Sequence, residues 1–243
     1  NKGIELSIGL QLVDTKDWNV RLNASYNTNH NKVLSIGNAV PFAIGGFSSR
    51  TVQTVVAEGE PVGFIRGYKA VLNPDNSLKE ILPLQNLGST LPTAYGNFSL
   101  SASYKNLSFM LSGDYQYGAY VHSFDRQFRF SKGLKDDAIP EKALEGLDQG
   151  ANWLNFTNFF VEKSDFLKIR NIGIAYDYKP KKYLKSVNLA FNVYNPFAFT
   201  ASSVDPEAAL AGARSQGAVA VGGLNYSSYS TPRQYVGTIR VSF

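Results

Sequence analysis

An all-β fold, an antiparallel transmembrane β-barrel, is what this sequence predicts, and three observations predict it. Several stretches alternate strictly between apolar residues and residues rich in Asn, Ser, Arg and Gln. A period of two puts one set on each face of a strand. The polar set is poor in Lys and Glu, which suits a hydrated lumen better than an open surface. Short polar turns alternate with long loops, the arrangement of bacterial outer-membrane barrels. The last stretch, Tyr229-Ser-Thr-Pro-Arg-Gln-Tyr-Val-Gly-Thr-Ile-Arg-Val-Ser-Phe243, finishes on an aromatic ring rather than a polar tail. In it Tyr235, Ile239, Val241 and Phe243 share one face, expected to meet lipid and to serve as the barrel-assembly signal.

Composition narrows the chemistry. The 243 residues hold no Cys, so disulfides, thiolate metal sites and Cys nucleophiles are excluded. No run approaches the roughly 18 apolar residues of a membrane helix, whereas a barrel strand needs only about 9–11. The net charge of +5 is spread along the chain, unlike a nucleic-acid footprint. The chain begins Asn1-Lys-Gly-Ile-Glu5 and residues 4–12 already read as a strand, so either the true N-terminus lies upstream or the chain is a fragment.

Taken in order, Ile4, Leu6, Ile8 and Leu10 open the first strand, and Asp14–Asp17 is a turn. Trp18, Val20, Leu22, Ala24 and Tyr26 alternate with Asn19, Arg21, Asn23, Ser25 and Asn27 in the second. Residues 33–46 read as a loop, 51–57 and 62–72 as two weaker strands around a turn at 58–61, and 73–95 as a loop again. Phe98–Tyr104 and Leu107–Tyr117 form a hairpin about Lys105-Asn106. Residues 119–163 are a long excursion with a short helix at 140–146, Pro at its start and Gly at its end. Phe166–Tyr178 changes parity near Arg170-Asn171, which predicts a β-bulge. The stretch 179–186 is a basic turn, Val187–Val193 a strand and 200–232 a long loop before the final strand. This gives nine strands, an odd number, whereas single-chain bacterial barrels close with even ones. Strands are therefore expected upstream. Lipid-facing positions are expected at Leu6, Ile8, Leu10, Val20, Leu22, Leu100, Phe109, Leu111, Ile174, Leu189, Phe191, Ile239 and Val241. Asn23, Ser101, Ser112, Asn192 and Thr238 take the opposite face.

No nucleophile elbow, zinc-protease helix or phosphate-binding loop is present, so the sequence reads as a non-enzyme. His30 and His122 read as ordinary loop or strand-end residues. Asp136, Asp137, Asp205 and Glu207 read as solvated loop charge, and Lys179–Lys185 as a solvated turn. Trp153, Phe156, Phe159 and Phe160 read either as a binding face for sugars or a partner protein, or as a mini-core that holds a long loop together. Trp153, Phe159, Phe160, Tyr226 and Tyr229 are the candidate substrate or partner contacts.

Four further stretches join the C-terminal one in a resemblance: Asn1-Lys-Gly-Ile-Glu-Leu-Ser7, Glu58-Gly-Glu-Pro-Val-Gly-Phe-Ile-Arg-Gly-Tyr68, Ser164-Asp-Phe-Leu-Lys-Ile-Arg-Asn-Ile-Gly-Ile-Ala-Tyr176 and Asn195-Pro-Phe-Ala-Phe-Thr200. In this order they resemble the C-terminal barrel portion of SusC/RagA-type TonB-dependent outer-membrane transporters of Bacteroidota. The resemblance implies residues 1–243 as part of a plugged barrel of about twenty-two strands. It implies that signal peptide, N-terminal β-domain, plug and early strands lie elsewhere. It further implies import of oligosaccharides or peptides, a SusD-like surface lipoprotein as partner, and contact with TonB. Residues 73–80 lack calcium-loop spacing, so no metal is expected there. A passive porin, a structural envelope barrel and a soluble carbohydrate-binding module are the competing readings.

Overall fold

The computed structural model describes residues 1–46, 52–180, 184–207, 223–226 and 229–243. Fourteen strands are numbered in chain order. They are β1 (Glu5–Asp14), β2 (Trp18–Thr28), β3 (Phe42–Gly46), β4 (Gln53–Val56), β5 (Phe64–Leu72), β6 (Leu78–Ser89) and β7 (Ala94–Tyr104). β8 (Leu107–Tyr117), β9 (Tyr120–Ser123), β10 (Val161–Lys163), β11 (Phe166–Tyr178), β12 (Ser186–Thr200), β13 (Leu224–Asn225) and β14 (Gln234–Ser242) complete the set. Among the described residues the longer α-helix, α1, spans Phe124–Ser131, and a single α-helical turn spans Gln149–Asn152.

The long strands make the wall: β1-β2-β7-β8-β11-β12-β14 pair side by side as one seven-stranded sheet. Every pair is antiparallel. The edges β1 and β14 do not pair with each other, so these strands are an open section of barrel wall. The register carries the alternation across all of them. Leu10, Leu22, Leu100, Leu111, Ile172, Val193 and Tyr235 are successive partners along one row. One residue over, Gln11, Arg21, Ser101, Met110, Gly173, Asn192 and Val236 form the opposite-face row. All the expected lipid-facing positions fall on the first face. One adjustment is needed in β1, where the ladder slips between Gln11 and Val13 and brings Val13 opposite Val20.

Aromatic rings bracket the apolar face. Trp18 packs on Tyr104 with ring centroids 4.6 Å apart, and Tyr176 and Tyr178 lie at the same end. Tyr26, Tyr117, Phe197 and Phe199 stand exposed at the other. Trp18 and Tyr26 are eight residues apart, about 26 Å along a strand. Tilted by about 40°, that span covers roughly 20 Å along the membrane normal, most of an apolar band about 25 Å tall between aromatic girdles.

The wall's connections sort by length. Residues 15–17, 105–106 and 179–185 link strands at one end; 29–93, 118–165 and 201–233 link them at the other. Of these, 47–51, 181–183, 208–222 and 227–228 lie outside the described residues.

Two expected wall strands are not in the wall, so its count is seven rather than nine. The stretches read at 51–57 (Thr51 lies outside the described residues) and 62–72 are β4 and β5 of a separate sheet, β3-β4-β5-β6, within the first long connection. Their burial explains this. Thr54 with Val55, and Phe64 with Ile65, are buried as neighbours, so both faces are covered and neither is left for lipid. The four residues of β4 could not cross a bilayer in any case. The loops read at 33–46 and 73–95 contain β3 and β6, and the 58–61 turn belongs to the long-loop end. The helix expected at 140–146 is a single 3-10 turn, Glu141–Leu144.

The first two long connections fold together above the wall. Ala70 of β5 shares a core with Phe130, Ile139, Ala143, Phe156 and Phe160 from the second. Asn158 stitches them: its Nδ2 donates to the Ala70 carbonyl at 3.3 Å, and its Oδ1 accepts from the Ala70 N–H at 2.9 Å. Gly67 permits the close approach, because a Cβ there would lie 2.7 Å from Thr157 Cγ2. A small sheet, β10-β9-β13, ties in the third connection.

Candidate functional site

The bulge expected near Arg170-Asn171 is present and decides the chemistry of the polar face. Both ladders of β11 slip between Ile169 and Asn171: against β8 Arg170 is the extra residue, whereas against β12 Arg170 faces Asn195-Pro196 and the extra residue is on β12. A bulge re-aims side chains. Here Lys168, Arg170 and Asn171 come to the polar side within four residues. Lys168 Nζ donates to Asp205 Oδ1 and to Glu207 Oε2, each at 2.6 Å. Arg170 grips Asp114 of β8 with Nε and Nη2, the latter at 2.8 Å, and also reaches Glu207. Asp205 and Glu207 thus fasten the start of the third long connection to the wall. Burial pushes both carboxyls up, but the hydrogen bonds and charges of Lys168 and Arg170 outweigh it and hold both below the usual carboxylate range.

This corrects the expectation of solvated loop charge at Asp205 and Glu207. The same holds for Asp136, which pairs with Arg126 at 2.5 and 2.9 Å and is largely covered; Asp137 is exposed. Arg126 also reaches Glu162, whose carboxylate accepts from the Ser203 N–H at 2.5 Å. His122 is no ordinary loop residue either: it is completely buried, whereas His30 is exposed. Asp75, in the stretch checked for a calcium loop, accepts from Ser77 and from Lys142.

Beside the ion cluster an open cleft of about 560 Å³ sits on the polar face at the long-loop end. Asn27, Tyr95, Asn97, Asp114, Gln116 and Glu207 line it together with apolar Leu91, Pro92, Val121 and Phe166. Amides, hydroxyls and carboxylates in this density can hydrogen-bond an extended polar molecule at many points.

The aromatic candidates divide. Trp153 and Tyr226 come together on Phe124, each edge-on, with centroids 6.2 and 5.1 Å from its ring. Phe128 stacks on the same ring at 6.1 Å and is about half exposed. Tyr229 is 94% exposed. Phe159 packs against the loop core and Phe160 lies wholly inside it. Phe160 therefore presents no ring to a ligand; it takes the mini-core role, with the Arg126 guanidinium 5.7 Å from its centroid. Phe124 and Phe128 were not among the candidates. Their i, i+4 spacing on α1 was the available signal. Tyr235, Ile239 and Val241 lie on the apolar face of β14, where Tyr235 stacks on Phe191 at 6.5 Å, and Phe243 beyond them is 80% exposed.

No family model matches the sequence, and no curated protein does. Solved structures do. A chain of the RagAB peptide transporter superposes with a TM-score of 0.71 over 99% of this chain, at 20% identity. The fold is that of a RagAB transporter chain. The RagAB peptide importer in its closed-closed state gives the same values, and in its open-open state a TM-score of 0.67. This chain spans 28–29% of the length of those chains. RagAB likeness therefore extends over the wall, the loop sheets and the cleft together.

Proposed function

We propose that these residues are the C-terminal wall and long-loop portion of a SusC/RagA-type outer-membrane importer. The observation that carries this reading is the likeness to RagAB over 99% of the chain. The sorted connections and the polar cleft at the long-loop end support it. In this reading the apolar face meets outer-membrane lipid and the opposite face lines a plugged lumen, in a bacterium of the Bacteroidota. The long-loop end faces the exterior, where a SusD-like lipoprotein meets the exposed rings around Phe124 and Tyr229. TonB acts through residues elsewhere in the transporter. The protein moves its cargo without chemical change and is no enzyme. The similar structures are described as peptide importers, so oligopeptides are the first cargo to test and oligosaccharides the second. The test is uptake of labelled oligopeptides by cells carrying the full-length transporter, with and without its energy coupling. Coupling-dependent uptake is expected, with little steady conductance when the purified protein is placed in planar bilayers. A large, constant conductance with uncoupled uptake would favour the passive porin.

We also assign the outward row Tyr235, Ile239, Val241 and Phe243 to barrel assembly. Phe243→Ser is expected to lower the amount of transporter in the outer membrane while uptake per assembled molecule stays near normal. Normal abundance with lost uptake would overturn the assignment.

A further inference from the structure

His122 occupies the middle of the small sheet that ties the third long connection to the second. Its strand β9 pairs with β10 on one side and with β13 on the other. The His122 N–H donates to the Gly223 carbonyl at 2.6 Å, and Leu224 lies opposite it in the parallel register. The imidazole itself is completely buried.

The surrounding hydrogen bonds fix its protonation. Gln127 Nε2 donates to Thr157 Oγ1 at 2.8 Å and to the Trp153 carbonyl at 3.3 Å. That orients the Gln127 amide, whose Oε1 faces His122 Nε2 at 2.6 Å. An amide oxygen only accepts, so His122 Nε2 carries the hydrogen and Nδ1 is left as a bare lone pair. Among the described residues Nδ1 is buried with no hydrogen-bond partner, and so is Ser123 Oγ beside it in the chain. A second proton would have to sit on Nδ1, as a charge with no acceptor placed for it.

The elements packed around the ring offer no carboxylate in contact with it. Asp125, Arg126 and Arg129 are on α1, and Glu162 and Lys163 on β10; Tyr120 is on β9 itself. Glu162 is engaged by Arg126 and Ser203. β13 and the helical run 153–160 carry no ionisable group.

We propose that His122 is a proton-operated release for the seam between β9 and β13, so that mild acid detaches residues 223–226 from the loop domain while the wall stays folded. Opening exposes the ring, which then binds the proton it is denied inside. Burial lowers the ring from 6.5 to about 4, against the smaller opposing effect of the Gln127 bond. Stability of the seam is therefore complete above pH 6.5 and declines as the pH falls from there towards 4. The other attachment of this connection behaves differently. Asp205 and Glu207 are carboxylates held below their ordinary range, so the Lys168–Arg170 cluster persists through mild acid. Two of this connection's anchors thus let go in different pH ranges.

Hydrogen–deuterium exchange of the full-length transporter between pH 7.5 and 5, read as protection factors, tests this. Segments 119–125 and 223–226 are expected to lose protection about tenfold per pH unit below roughly pH 6, the slope of one proton taken up on opening. The wall strands should hold theirs. His122→Asn should abolish the slope, and Asp205→Asn should leave it in place. Flat protection in the natural protein, or an unchanged slope in His122→Asn, would overturn the proposal. Should His122→Asn already be unprotected at pH 7.5, the onset in the natural protein decides: a decline starting only below pH 5 would assign it to carboxylates instead. The readout is independent of transport, so it stands or falls apart from the import reading.

Discussion

Arginine in place of Leu111 is expected to destabilise the assembled wall by about 2–4 kcal/mol, the depth-dependent penalty for a cation facing the middle of the lipid. Leu111 lies at the centre of the apolar row, between Leu100 and Ile172. Its neighbour Ser112, between Ser99 and Asn171, faces the other way. Ser112→Arg should therefore assemble nearly normally. Urea-dependent unfolding of the full-length protein in lipid vesicles checks the pair. Equal losses at both sites would mean that the assigned faces are wrong.

The second large effect is expected at Lys168. Its ammonium is 5% exposed and shared by Asp205 and Glu207. Lys168→Met keeps the length of the side chain and removes the charge, stranding two carboxylates beside the wall. Breaking a buried ion pair from one side costs roughly 3–5 kcal/mol. Part of that is relieved here by the partial exposure of Glu207 and by its remaining contact with Arg170. Detachment of residues 201–207 is the expected outcome, read as faster labelling of a cysteine placed at Ser203. Adding Asp205→Asn to Lys168→Met should restore much of the protection, because the uncompensated charge is then gone. If the double variant labels as fast as the single one, the ion pair is not what holds the segment.

The wall was legible in the sequence because its physics is local. Each long strand shows period two over its own residues, and Lys105-Asn106 marks a hairpin without reference to anything distant. The parity change at Arg170-Asn171 even located the bulge. What that bulge does was not legible, because Lys168 and Arg170 meet acids 37–39 positions later, on a segment whose return path no local pattern encodes. The loop sheets were misassigned for a related reason. β4 and β5 have apolar residues at strand-like spacing, yet both faces are covered: β5 packs against the helical segment of another connection, and Val52 beside β4 packs with Ile65 and Leu224. Among the aromatic candidates, Phe160 and Trp153 look alike in sequence. Only the docking of β5 against residues 153–160 separates the buried ring from the one at the surface.

The stitch between Asn158 and Ala70 bears on how such loops can change over evolution or in the laboratory. Two connections separated by the whole β7–β8 hairpin complete each other's hydrogen bonds and share a single core. Neither is a self-sufficient cassette. Grafting residues 119–163 alone onto a related barrel would strand the amide of Asn158 and leave Phe156 and Phe160 without the β5 surface that covers them. The folded structure at this end of the protein is thus inherited in pairs of loops, and recombination breakpoints within the β7–β8 hairpin should be selected against where the two parents differ in this shared core.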